Sequence, residues 1–402
     1  MMQKRWSLLL TLILLHTIVG AQSIRITPIT SASALYLNTN SLFNFNRYDM
    51  LRVDADLRFV YPSQNHPFYS RSKRQWQINP YIGYATRSEQ WHGGVTIARQ
   101  SVVSHQLCPY VVIRHDIDPA ASTNLAAYQM TQIAENSGFL ADRMAQNTSV
   151  AIGMSMKATS NLKLDISLQH SRECYLFDSQ GFLIYDPQTV DQQSFYDIRC
   201  RMNISQRLTI ALWAGQRRWL TTSGYWRCIA QYEQSINAFG RYKASLFAQI
   251  GYSNLTAPYS RLFDISGTAG CPYFFNHTFI TLTPNEFQAN AYAKMSLTIT
   301  DSRPLWQNRY SMPQLFARIN VLSGWLVTDT GWTDHSVCDN IAVNAPSQGV
   351  IEPAIGCNQL LRIGLIDMGI AAAYRITSPT AYYHHPNASE NIAIAATATL
   401  RI

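Results

Sequence analysis

Residues 162–169 read Leu162-Lys163-Leu164-Asp165-Ile166-Ser167-Leu168-Gln169. Aliphatic side chains take every second place, and polar or charged ones fill the places between. Successive side chains of a β-strand point to opposite faces, so this stretch makes a strand with one apolar and one hydrophilic face. The same period of two recurs along the chain. Leu51, Val53, Ala55, Leu57 and Phe59 alternate with Arg52, Asp54, Asp56 and Arg58. Trp226, Cys228, Ala230 and Tyr232 alternate with Arg227, Ile229, Gln231 and Glu233. Ala289, Ala291, Ala293, Met295, Leu297 and Ile299 alternate with Gln288, Asn290, Tyr292, Lys294, Ser296 and Thr298.

A soluble β-sandwich alternates too, so strand length has to separate the cases. Soluble strands average about 5–6 residues, whereas a strand tilted across a bilayer needs about 9–11. Several alternating segments here run to about 10–14 residues, which favours the bilayer. Composition points the same way. Charged residues are 14% of the 402, against roughly 25% in ordinary globular chains. Aromatic residues are 12%, with 22 tyrosines. The fold expected is all-β: a transmembrane antiparallel up-and-down barrel of about 16 strands, with 14 as the alternative.

The N-terminus carries export grammar. Lys4 and Arg5 precede an apolar stretch from Leu8 to Val19, and Val19-Gly20-Ala21 offers small residues for cleavage. That is the layout of a secretory signal, and the stretch is shorter than the roughly 20 residues of a spanning helix. Residues 1–21 are therefore expected to be a signal peptide and residues 22–402 the barrel. The destination expected is the outer membrane of a Gram-negative bacterium. The partners expected are outer-membrane lipid, the barrel-assembly machinery during insertion, and small solutes or ions in passage.

Connection lengths alternate as in such barrels, with short periplasmic turns and long outer loops. Tight turns are predicted near Thr159-Ser160, Ser205-Gln206, Asn237-Ala238 and Asn358-Gln359. Long outer loops are predicted over residues 119–147, 175–191, 253–285 and 329–347. Residues 123–147 have helical character. The connections 61–74 and 301–312 fall on the periplasmic side although they are not tight. Closure requires the last strand, Glu390 to Ile402, to pair with the first, Ile24 to Ala34, because unpaired backbone in hydrocarbon costs several kcal/mol per group. Trp219, Tyr225, Trp226, Trp325, Tyr374, Tyr382 and Tyr383 are candidates for interfacial girdles.

Some of these stretches are similar to a known family. They are Asn46-Arg47-Tyr48-Asp49-Met50-Leu51-Arg52, Tyr81-Ile82-Gly83-Tyr84-Ala85, Trp91-His92-Gly93-Gly94, Ala257-Pro258-Tyr259, Leu262-Phe263, Pro284-Asn285-Glu286-Phe287, Glu352-Pro353-Ala354-Ile355-Gly356-Cys357-Asn358 and Tyr374-Arg375. In order and kind they resemble the barrel region of a Bacteroidota outer-membrane family of unknown function. Its members usually carry an N-terminal carboxypeptidase-like regulatory domain. Met50 stands where the family often has glycine, and no stretch here matches that domain. The resemblance implies a fold and a location and brings no catalytic residues. Barrel-assembly insertases also resemble the architecture. They carry periplasmic repeats and an arginine–glycine–aromatic signature in a lumen loop, and neither is found in this sequence. Phe239-Gly240-Arg241-Tyr242 is only superficially similar and falls at a periplasmic turn.

Few residues suggest chemistry. The net charge of +8 lacks a nucleic-acid motif, and its one basic run is Arg71-Ser72-Lys73-Arg74, so nucleic acid is not expected as a partner. The seven cysteines form no CxxC unit, and a Cys174–Cys271 bridge is the one pairing that loop placement suggests. No hydrolase elbow, phosphate loop or zinc motif occurs. No catalytic residue, metal or cofactor is expected. The one cluster suited to an outer-membrane lipid hydrolase is His170 with Ser171 and Glu173. His384-His385 lacks further ligands.

The lumen-lining candidates are Arg52, Asp54, Asp56, Arg58, Lys163, Asp165, Asp197, Arg199, Arg201, Arg227, Glu233, Lys294 and Arg318. They either pair across the barrel or line a porin-like channel whose arginine excess favours anions. The function expected is a non-catalytic channel or scaffold. A surface binding protein is the alternative, with Tyr273, Phe274 and Phe275 of the loop 253–285 as anchors.

Overall fold

The computed structural model describes residues 23–30, 33–38, 43–46, 48–62, 74–101, 106–121, 143–177, 192–205, 207–217, 224–238, 240–254, 257–265, 267, 269, 273–274, 277–283, 286–326, 345–363, 366–379, 381 and 384–400. The signal segment, residues 123–142 of the stretch 123–147 expected to be helical, Trp219, Cys271, Phe275, Tyr382 and Tyr383 lie outside them, and residues 144–147 of that stretch are strand, not helix.

The described chain is almost entirely strand. The elements are β1 (Ser23–Thr30), β2 (Ser33–Asn38), β3 (Phe43–Asn46), β4 (Met50–Tyr61), β5 (Arg74–Ala85), β6 (Trp91–Ser101), β7 (Leu107–Pro119), β8 (Met144–Lys157), β9 (Leu162–Tyr175), β10 (Gln193–Ile204) and β11 (Leu208–Arg217). They continue as β12 (Gly224–Ala238), β13 (Tyr242–Ser253), β14 (Phe263–Asp264), β15 (Tyr273–Phe274), β16 (Gln288–Ala289), β17 (Ala291–Asp301), β18 (Gln314–Trp325), β19 (Val350–Ile363), β20 (Ile366–Tyr374), β21 (Ile376–Thr377) and β22 (Ile392–Leu400).

From β4 to β13 each strand pairs antiparallel with the next. The ladder then passes through β17, β18, β19, β20 and β22. β2 and β3 lie end to end along β4, and β20 and β21 lie end to end along β19. Counted that way, the barrel wall has 17 strands. The extra one arises because the single strand expected over Ile24–Ala34 is two, with β1 and β2 paired to each other. Among the described residues, the outer edge of β22 carries not β1 but β15, which pairs with Ala396 and Thr397 in parallel.

The sheet is inside out relative to a soluble protein. Ile152 is 62% exposed, Leu168 60% and Ile355 69%. Asp54, Gln169, Asp197, Arg227, Ser296 and Asn320 are buried. Ile152 lies directly opposite Leu168 across the β8–β9 pair, and the buried Ser167 is opposite Gly153. A band of apolar side chains turned outward on strand after strand from β4 onward is stable only against hydrocarbon. This settles the choice that alternation left open, because a sandwich would have turned the same residues inward.

The connection rule holds at most places. β8–β9, β10–β11 and β12–β13 are joined by three or four residues on one rim, and the long connections leave from the other. The turn expected at Asn358-Gln359 is a correction. β19 runs through it, with a register shift between Cys357 and Leu361 and Gln359 at φ 58°. The residue signal there was a bulge. Tyr225 is a second correction: it is buried on the lumen face, whereas Trp226, Trp325 and Tyr374 face outward.

An Ile152→Arg substitution places a cation on the lipid face near mid-strand. The expected loss is about 2–4 kcal/mol of folding stability in lipid vesicles, read by denaturant titration of tryptophan fluorescence. Ser149→Ala, on the buried face of the same strand, is expected to change the midpoint much less.

Candidate functional site

The segment joining β13 to β17 does not stand above the barrel. Its apolar side chains Leu262, Phe263, Ile265, Phe279, Ile280, Leu282 and Phe287 are all at most 1% exposed. Phe263, Phe279, Leu282 and Phe287 pack with Trp213, Ile229, Tyr292, Leu322 and Val350 of the wall. Burying that many large side chains gives the segment its reason to fold inward, at roughly 1.5–3 kcal/mol for each one removed from water. The wall makes room for it. Ile280 packs on Ala354, Ala371, Ala373 and Ala395, small residues on the buried face of β19, β20 and β22. At Gly251 a Cβ would come within 2.2 Å of the Tyr292 ring and 3.0 Å of Phe263.

Among the polar contacts that fix the segment, three centre on ion pairs or a buried carboxylate. The first is Arg261, at the end of a 3-10 turn, Tyr259–Arg261. Its guanidinium lies 2.8 Å from Glu173 Oε1 and 3.1 Å from Asp197 Oδ2. It also lies over the rings of Phe195 at 4.4 Å and Trp213 at 4.7 Å. Tyr225 donates its hydroxyl to Asp197. Strands β9, β10, β11 and β12 thus each contribute to the socket. Burial by itself would lower the guanidinium pKa, and Glu173, Tyr225 and Asp197 together hold it above its already high ordinary value.

The second is Glu352 on β19, which is fully buried. Its oxygens accept hydrogen bonds from the backbone N–H of Ile280 (3.1 Å) and Thr281 (2.7 Å), from Thr281 Oγ1 (2.6 Å) and from Asn320 Nδ2 (2.9 Å). A carboxylate that accepts from that many donors holds the turn of the segment firmly. The third is Arg375, which donates to Glu286 Oε1 at 2.6 Å, while Glu286 Oε2 accepts from Thr283 N at 2.9 Å.

His277 sits farther along the segment. Its ring stacks on Phe247 at 4.2 Å, and its Nε2 is 3.6 Å from Glu233. Burial, and then repulsion from Lys294 and Arg318, pushes its pKa down to about 4. Glu233 opposes this weakly, since it is half-exposed and its field is screened by water.

The predicted lumen residues divide into groups. Arg52 Nε lies 2.8 Å from Asp54 Oδ1, and Arg52 also pairs with Asp116, which accepts from Tyr81 at 2.9 Å. Asp56 is buried, and Arg58 lies 5.4 Å over the Tyr36 ring. Asp165 accepts from Tyr110 at 2.8 Å, and Arg201 donates to Asn203 at 3.2 Å. Arg199 stacks 3.7 Å over Trp213, and Arg227 lies 4.5 Å over Phe263. Lys294 lies 5.6 Å over Phe247, and Arg318 donates to Thr298 at 3.2 Å. Lys163 and Glu233 are exposed at the short-turn end.

Other candidates do not assemble. His170 lies on the outward face against Tyr196, while Ser171 and Glu173 are buried on the inner face. A period of two makes that separation unavoidable for residues one and three apart. His384 meets Thr377 and His385 meets Glu390, so the pair does not converge. Tyr273 and Phe274 form β15 along β22, within the inward-folded segment and not on an outer surface loop.

Sequence reasoning did not place Asp116, Glu173, Arg261, Glu286, Glu352 or Arg375 in the lumen. Asp116, Glu173 and Glu352 carried a usable signal, since each is a charged residue at buried-face parity in an alternating segment.

The solved structures that resemble this one are barrels. BamA from Haemophilus ducreyi, lacking POTRA domains 1-3, matches with a TM-score of 0.52 at 8% identity, over 92% of this chain and 71% of that one. The fold is that of an outer-membrane β-barrel. CdiB from Acinetobacter baumannii is more loosely similar, with a TM-score of 0.42 at 10% identity over 88% of this chain and 57% of that one. CdiB from Escherichia coli gives 0.41 at 9% identity, over 93% and 64%. This chain therefore spans less than two thirds of either CdiB chain. No family model matches the sequence, and no curated protein matches it.

Removing Arg261 strands two buried carboxylates. Arg261→Ala is expected to cost about 3–5 kcal/mol, read by denaturant unfolding in vesicles. Replacing all three charges, as Arg261→Met with Glu173→Gln and Asp197→Asn, is expected to recover most of that loss.

Proposed function

We propose that the chain is an integral outer-membrane protein of a Gram-negative bacterium, a non-catalytic channel closed at rest by its own inward-folded segment. Export follows from the signal grammar of residues 1–21, with cleavage near Ala21, and insertion uses the barrel-assembly machinery. The likeness of its short motifs to a Bacteroidota barrel family supports the same placement. The observation that carries the reading is the Arg261 socket. A loop residue reaches into the wall and neutralises carboxylates from two strands, so the segment fills the bore as a fitted part.

Closure by side-chain contacts can be reversed. The segment is held to the wall by polar anchors and apolar clusters, and none of the contacts described is covalent. Released, it would uncover Arg199, Arg227, Lys294 and Arg318, a cationic lining that favours anions. The inward turn of the segment 253–285 counts against surface adhesion through its aromatic residues.

Single-channel recording in planar bilayers tests this. The wild-type protein is expected to give rare, small steps, and Glu352→Ala is expected to give frequent large steps with anion preference. Large persistent steps from the wild-type protein would rule out a resting plug.

Acid provides a second check. His277 in place titrates near 4, whereas released into water it titrates near 6.5. The released state therefore binds the extra proton first. Its contribution to closure is complete above pH 6.5 and is lost as pH falls through 4. Open probability is expected to rise across that window, and His277→Gln is expected to flatten the rise.

A further inference from the structure

The short-turn rim holds a feature that a channel does not use. Among the described residues, every large apolar side chain that stands exposed lies on a strand, with three exceptions. These are Leu305, Trp306 and Tyr310, at 56%, 51% and 61% exposure. All three belong to the connection between β17 and β18, residues 302–313.

That connection is held in one shape. Leu305 N donates to Pro313 O at 2.8 Å and Asn308 N to Ser311 O at 2.9 Å, which makes a closed hairpin. The Trp306 indole N–H donates to Ser311 Oγ at 3.0 Å. Both flanks are tied to neighbouring elements. Ser302 N donates to Arg241 O at 2.8 Å. On the other side Met312 N reaches Gln359 O at 3.0 Å, and Arg362 N reaches Tyr310 O at 2.7 Å. The carbonyl of the bulge residue Gln359 is thus one of the hairpin's tethers. A loop of this kind presents its aromatic rings without the entropy loss of ordering them on contact.

Charge completes the description. Arg303 and Arg309 are exposed on the hairpin, and Arg309 lies 5.5 Å from the Tyr310 ring centre. The hairpin's flanking acid, Asp301, is neutralised by a two-pronged contact with Arg241 at 2.6–3.1 Å. Lys157, Lys163, Arg207 and Lys243 are exposed at the neighbouring turns of the same rim. Glu233, the exposed acid at that level, faces His277 of the lumen segment. Aromatic rings beside arginines at the mouth of a membrane barrel have the chemistry of the headgroup layer.

We propose that residues 302–313 form a rigid paddle that binds anionic phospholipid headgroups of the leaflet at the short-turn rim. Leu305, Trp306 and Tyr310 enter the acyl boundary, and Arg303 and Arg309 contact the phosphates. This rests on the reading of the chain as a membrane barrel with its short turns in the periplasm.

The test uses the full chain reconstituted in vesicles of equal phosphatidylglycerol and phosphatidylcholine, gently extracted and weighed by native mass spectrometry. Retained phosphatidylglycerol is expected to exceed phosphatidylcholine by about tenfold or more. In Arg303→Gln with Arg309→Gln the ratio is expected to fall close to one. In Leu305→Ser with Trp306→Ser and Tyr310→Ser the total retained lipid is expected to fall. Equal retention of both lipids by the wild-type protein would overturn the proposal. So would a preference that survives the arginine changes and disappears only when Lys157 and Lys163 are replaced. Heat-modifiable gel mobility and vesicle insertion are measured on every sample. Failure of the barrel reading appears as loss of insertion, whereas failure of the paddle appears as an inserted protein indifferent to lipid charge.

Discussion

Hydrocarbon offers no hydrogen-bond partner, and that single constraint shapes the molecule. Every backbone N–H and C=O in the membrane layer must find its mate on a neighbouring strand. The pairs from β4 through β22 meet it continuously, and they force the side chains to sort by face. Aliphatic residues take the lipid side, and the charged residues of a charge-poor chain are collected inside. Confined there, charges must satisfy one another or stay wet. Most of the described ones have found partners, either carboxylates, as with Arg52, or aromatic rings, as with Arg199 and Arg227.

The Arg261 socket extends the same logic. Glu173 and Asp197 face inward from adjacent strands, and a buried pair of carboxylates with no cation between them would be costly. The cation comes from a loop. Its planar guanidinium suits both needs, since it bonds carboxylates at its edge and stacks on Phe195 and Trp213 with its faces. Lysine, a point charge on a flexible stem, would satisfy the edge and lose the faces.

The fold was legible in the sequence because its cause is periodic. Leu162 to Gln169 needs no knowledge of distant residues to be read as a two-faced strand, and the connection lengths follow from the same rhythm. The failures came where the cause is not periodic. Asn358-Gln359 reads as a turn in the sequence, whereas in the structure it is a bulge of β19 whose Gln359 carbonyl accepts from Met312 N of the neighbouring hairpin. The site was legible in half. Parity marked the wall residues Arg52, Asp197 and Arg227, but a segment that folds inward has no parity. Arg261 and His277 fall within the stretch 253–285, which the sequence reads as an outer loop. One composition signal was available: alanines on the inner face of β20 and β22, where other strands carry bulk, mark the space that Ile280 fills.

The partners of the inward segment are spread along the chain, and this sets a sequence of events in time. Its Arg261 socket is complete once β9 to β12 have formed, all of them earlier in the chain than the segment itself. Glu352, Arg375 and the alanines of β22 come later, as does the edge of β22 on which β15 lies. During synthesis and insertion the segment can therefore be tethered early by one end and seated only when the last strand arrives. On the proposed reading of the segment as a resting plug, completing the wall is the same act as seating the plug.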